Sequence, residues 1–135
     1  MVVTGITNAV TVSCGIVETC ATLNYGSSQW WGGNGGSSTD SVGALGNPTA
    51  VTLDCKYNLN PPDGTISYET TCAPTPVQGA GITDAAPVAA GYCSVCAVLA
   101  DGAVECWGDN QFGELGDGST PNRTSPVTVM AQPGQ

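Results

Sequence analysis

The chain has 135 residues, two basic against eleven acidic and no histidine, for a net charge of −9. That balance repels phosphate backbones and anionic bilayers, so nucleic-acid binding is excluded, and the lack of an apolar run of transmembrane length argues against membrane insertion. Without histidine the usual serine and cysteine triads and most transition-metal sites are excluded too, so neither an enzyme nor a cofactor is expected.

Nineteen glycines and short alternating apolar runs, such as those around Val10 and Val51, predict an all-β protein rich in turns. Seven cysteines in so short a chain point to an oxidising destination and to disulfides. The single C-x-x-C, Cys93 to Cys96, has no second pair at zinc-ribbon spacing, so no metal site is expected. Residues 1–12 lack the basic start and long apolar stretch of a signal peptide.

In chain order, residues 5–34, GITNAVTVSCGIVETCATLNYGSSQWWGGN, return as residues 81–110, GITDAAPVAAGYCSVCAVLADGAVECWGDN. The offset is 76 without a gap, and thirteen of the thirty positions are identical. A self-match of that length marks a repeat whose units bury their apolar faces by stacking on a neighbour. In the first copy, a five-residue connection, GIVET, is expected to set Cys14 opposite Cys20 for a bridge. Trp30 replaces the cysteine found at position 106 in the second copy and is a candidate for an exposed contact surface. Trp31 and Trp107 are repeat equivalents and read as core.

The pair Pro76 and Val77 recurs as Pro126 and Val127, a unit of 50 residues, which makes the first unit 26 residues longer than the second. Part of the excess falls in the polar tract GNGGSSTDSVGALG. The rest, within residues 49–72, shows two alternating runs around NLNPPDG and reads as an extra β-hairpin standing off the unit. Its Tyr57 and Tyr68 join Trp30 as candidate contact residues. Cys55 and Cys72 remain for each other, although a simple hairpin register does not oppose them, and Cys93 is left odd.

In the second copy a three-residue loop, ADG, places Cys96 directly across from Cys106, which predicts a bridge between adjacent strands. Asp109, Glu114 and Asp117 read as solvated turn residues. Asn122, Arg123 and Thr124 form an acceptor sequon for N-glycosylation.

The run CAVLADGAVECWGDNQFGELGDGSTPNRTSPVTV, preceded by GITDAAPVAAG, resembles the repeat of the regulator-of-chromosome-condensation propeller family, in the cysteine-bearing form of secreted bacterial proteins. The likeness covers residues 79–129 closely and 3–45 loosely. It implies a four-stranded blade per repeat, usually in a closed seven-bladed ring, with the tryptophan packed between blades. The expected architecture is therefore two four-stranded propeller-type blades, residues 1–76 with the insertion at 49–72 and residues 77–135. Two blades cannot close a ring, and both ends fall at nearly the same phase of the repeat. Head-to-tail assembly is expected, with copies of itself or with adjoining blades, bringing Val2 and Thr4 near Val127 and Val129. The function this supports is a non-catalytic extracellular module, structural or protein-binding. Two alternatives stay open: a structural protein of a virion surface or appendage, and a carbohydrate-binding lectin built from two-bladed subunits, with a glycan partner.

Overall fold

Among the described residues, alternating apolar runs form nine strands in two antiparallel sheets. The computed structural model describes residues 3–35, 43–47, 53–59, 66–79 and 81–130. The strands are β1 (Ala9–Cys14), β2 (Glu18–Leu23), β3 (Ser28–Gly33), β4 (Leu53–Leu59), β5 (Ile66–Gln78), β6 (Ala85–Ala90), β7 (Ser94–Leu99), β8 (Val104–Gly108) and β9 (Arg123–Thr128). The first sheet runs β1-β2-β3-β5-β4 and the second β6-β7-β8-β9. Among the described residues no helix is long and apolar enough to cross a membrane.

The repeat is visible turn by turn. Leu23 N–H donates to the Ser27 carbonyl in one copy and Leu99 N–H to the Ala103 carbonyl in the other, both at 2.8 Å. Each loop needs a left-handed residue, and Gly26 and Gly102 supply it with φ of 85° and 88°. The resulting registers match, Cys20 opposite Trp30 and Cys96 opposite Cys106.

The insertion is the expected β-hairpin, extending beyond the end of β3, and its second strand continues into the blade. Strand β5 runs unbroken for 13 residues. Its first half pairs with β4, Tyr57 lying opposite Tyr68 in the backbone register, and its second half pairs with β3 as the blade's fourth strand, Trp30 opposite Val77. The turn expected at residues 60–64, most of the polar tract (residues 36–42) and Val2 lie outside the described residues.

The core lies in the seam between the two sheets. Cys20, Trp30, Leu45 and Ala73 of the first unit pack against Ile82, Val88, Val95, Ala97 and Trp107 of the second. The backbones approach closely beside β1, where a Cβ on Gly15 would run into the Glu18 carboxyl and the Gly91 carbonyl. Ala90 N–H crosses the seam to the Ser13 hydroxyl at 3.0 Å. Face-to-face sheets that bury a continuous apolar layer are how propeller blades gain stability that neither has alone.

Candidate protein-interaction surfaces

The seam shows what a blade face requires of its neighbour. Trp107, at the end of β8, is completely buried, and its indole N–H donates to the Ala44 carbonyl of the first unit at 3.1 Å. The receiving group lies in a tight turn, residues 43–46, closed by Gly46 N–H to the Gly43 carbonyl at 2.8 Å. No larger residue fits there: a Cβ on Gly46 would lie 2.6 Å from the Trp107 indole nitrogen, and one on Gly43 would lie 2.5 Å from Thr124 Cα. Asn34 holds this turn by accepting the Leu45 N–H on Oδ1 at 3.0 Å.

Trp30 is not a contact residue on the surface. It is fully buried, its N–H bonds to the Ser28 hydroxyl at 2.8 Å, and its ring meets Trp107. The reason is register: Trp30 opposes Cys20 on the face of the first sheet that turns toward the second. Trp31, expected in the core, points to the opposite face and is only half-buried. The outer side of this blade also exposes Val10 and Val12 on β1, with Ile16 beside them.

The cysteines divide unevenly. Cys96 and Cys106 are opposed in register, with Cα atoms 4.1 Å apart, and are joined. Cys55 and Cys72 are joined as well, from diagonal positions 5.8 Å apart, since Cys55 opposes Thr70 and Cys72 opposes Leu53. The expected bridge between Cys14 and Cys20 is absent. Gly15 N–H bonds the Glu18 carbonyl at 2.9 Å, which leaves a loop of only Ile16 and Val17. Cys14 therefore opposes Thr19 while Cys20 opposes Ser13. A slip of one residue turns two side chains to opposite faces. Cys14 is exposed, and burial pushes the Cys20 thiol up to about 12. Cys93 is buried in the β6–β7 turn, its carbonyl accepting the Asp109 N–H at 2.9 Å.

Glu18 is a buried carboxylate at the seam. Oε2 accepts the Val17 N–H at 3.3 Å, whereas Oε1 has no partner among the described residues. Desolvation raises its pKa above the ordinary 4.5, only partly offset by hydrogen bonds from the Val17 and Glu18 backbone.

In the second blade the acidic residues are absorbed locally. Asp109 accepts the Asn110 N–H and Glu114 the Phe112 N–H. Asp117 accepts from the Ser119 hydroxyl, from Arg123 and from Asn110, and these bonds, the Ser119 hydroxyl foremost, hold its carboxyl down to about 2. Among the described residues no group of three or more histidine, cysteine or acidic side chains is arranged to hold a metal ion. Asn110 ties this knot: its amide donates to the Ser119 and Pro121 carbonyls and its Oδ1 accepts the Leu115 N–H at 3.0 Å. The sequon's Asn122 belongs to the same knot, its Oδ1 accepting the Asn110 N–H at 3.0 Å.

Comparison with known proteins agrees with this architecture. A sequence model of the regulator of chromosome condensation (RCC1) repeat matches residues 88–114. No curated protein matches the chain. Among solved structures, Prp20p from Saccharomyces cerevisiae, described with its binding properties to Gsp1p and histones, superposes with a TM-score of 0.71 at 18% identity, covering 98% of this chain and 28% of that one. The same yeast protein in the structure of Kap60 bound to yeast RCC1 gives 0.67 at 16% identity, over 98% and 27%. Human WBSCR16 gives 0.61 at 20% identity, over 93% and 26%. The chain thus spans about a quarter of the length of these structures. It is an all-β protein of propeller-type blades, in which residues 88–114 match the regulator of chromosome condensation (RCC1) repeat.

Proposed function

We propose that the chain is a non-catalytic protein-binding module, a structural subunit of oxidising, extracellular surroundings that assembles head to tail through its blades. One observation carries the reading. The two blades bury one face each against the other, and the outer face of the first presents half-buried Trp31 together with exposed Val10 and Val12, apolar groups that a partner would cover. That yeast Prp20p is described with Gsp1p, histones and Kap60 supports protein as the class of partner. The two joined cysteine pairs support the oxidising setting. Edge strand β4, pinned through Cys55 to Cys72, offers a further place for contacts, with Tyr57 on it and Tyr68 opposite in β5.

The test is the mass of the oxidised chain in solution, followed by sedimentation over a hundredfold range of concentration. Mass that rises with concentration is expected. A single monomeric species throughout, at all ionic strengths, would remove the assembly part of the reading.

A further inference from the structure

The seam inside the chain is also a description of the two surfaces left at its outer faces. The second blade meets the first with Ile82, Val88, Val95 and Trp107. Their repeat equivalents, 76 positions earlier, are Ile6, Val12, Thr19 and Trp31. Val88 is 7% exposed and Trp107 0%, whereas Val12 is 62% exposed. Ile6, Thr19 and Trp31 are all half-buried. The first blade therefore carries, on its outer face, the set of positions that the second uses to dock.

The receiving half is repeated as well. Turn 113–116 copies turn 43–46: Gly113 and Gly116 have φ of 76° and 65°, against 83° and 63° for Gly43 and Gly46. Leu115 N–H is held by Asn110 Oδ1 as Leu45 N–H is held by Asn34 Oδ1, each at 3.0 Å. The occupancy differs: the side of Gly46 met by Trp107 is met at Gly116 by Val129 of the same blade, 3.0 Å from where a Cβ would stand, while the Gly113 side is open. A Cβ on Gly43 would strike Thr124 of the packed blade, while one on Gly113 would meet nothing nearer than the Ser119 carbonyl at 3.8 Å. Phe112, next to this turn, is 91% exposed. Val98, the equivalent of Thr22 sealed in the seam, is exposed too.

Resting on the head-to-tail reading above, we infer that the partner is a second copy of this chain, whose Trp31 seats on turn 113–116 and donates its indole N–H to the Glu114 carbonyl, as Trp107 does to Ala44 within the chain. The argument is continuity with an interface already formed: one chain holds both complementary halves, on opposite ends of the pair of blades, which is the arrangement of a heterologous contact. The incoming ring would stand over the bridge that replaces Trp30, whose half-buried member is Cys96, exchanging an aromatic neighbour for a polarisable sulfur. Two chains of charge −9 repel each other, so screening should tighten the contact.

A complementation experiment on the oxidised full chain tests the junction. Trp31→Asp spoils one half. Gly113→Asn spoils the other, because asparagine tolerates the left-handed backbone and its side chain fills the space kept for the neighbour. Each variant alone should sediment as a monomer, and an equimolar mixture should form a one-to-one dimer that grows no further. Trp31→Phe, which keeps a ring and loses the N–H, should weaken association by about 3- to 10-fold and serves if the aspartate variant fails to fold. Wild type that assembles while either blocked variant assembles equally well would overturn the junction and leave head-to-tail assembly standing. Single-face variants that stay monomeric even when mixed would overturn the head-to-tail arrangement itself. Wild type that never assembles would overturn both.

Discussion

Trp30 of the first blade and Trp107 of the second meet edge to face, with ring centroids 5.3 Å apart and planes inclined at 76°. They are not repeat equivalents: Trp30 corresponds to Cys106 and Trp107 to Trp31. The pair exists because one blade has exchanged the bridge position for a tryptophan, so the seam is fastened by stacked aromatic edges where the second blade has a disulfide.

Replacing Trp107 with Ala is expected to cost about 3–5 kcal/mol, since a fully buried indole and its hydrogen bond to Ala44 are both lost. A double-mutant cycle with Trp30→Ala should show coupling of about 0.5–1.5 kcal/mol, read from denaturant midpoints. Additive losses would mean the rings are independent.

Peptide mapping of the non-reduced protein is expected to link Cys96 to Cys106 and Cys55 to Cys72, with Cys14 alkylated rapidly in the native state. Cys20, with its thiol pushed up to about 12 and sealed in the seam, should react only on unfolding. Removing the Cys96–Cys106 bridge should cost about 2–3 kcal/mol for so short a loop. A peptide linking Cys14 to Cys20 would contradict the two-residue turn.

Stability should respond to pH in two opposed ways. Glu18 has its pKa raised in the fold, so its protonated form is the one the seam favours; stability from this group is greatest below 4.5 and falls as pH rises through its folded value. Glu18→Gln should flatten that decline and make the protein more stable at pH 7. Asp117 behaves oppositely: its contribution is present above 3.8 and disappears as pH falls toward 2. Asp117→Asn should remove that acid limb. Thermal melts across pH 2–8 distinguish the two variants.

Asn110→Ala should destabilise by about 1–3 kcal/mol, because it strands the Leu115 N–H and releases the carbonyls of Ser119 and Pro121. Amide exchange should accelerate first at Leu115 if the turn, and not the whole blade, is what loosens.

Much of the architecture was legible because repeats print their geometry twice. The loop ADG with its glycine sets the register that opposes Cys96 and Cys106, and the same loop form sets Cys20 opposite Trp30. What could not be read was handedness of face. Trp30 and Trp31 are adjacent, so one must face the seam and one must face away, and sequence alone does not say on which side the second blade lies. The misplaced bridge has a similar origin: GIVET looks like a five-residue connection, yet the Gly15 to Glu18 hydrogen bond shortens it and moves the register by one. The hairpin in residues 49–72 was legible from its two alternating runs, but nothing in TISYETTCAPTPVQ marks the point where the pairing of β5 passes from β4 to β3.

The seam also has an arithmetical consequence. If the contact between copies reproduces the one inside each, a single rotation relates every blade to the next, and each added chain advances the structure by two such steps. A closed ring of such two-blade units then contains an even number of blades. Where twice the rotation does not divide a full turn, the series cannot close, and it winds instead into a helix of unlimited length.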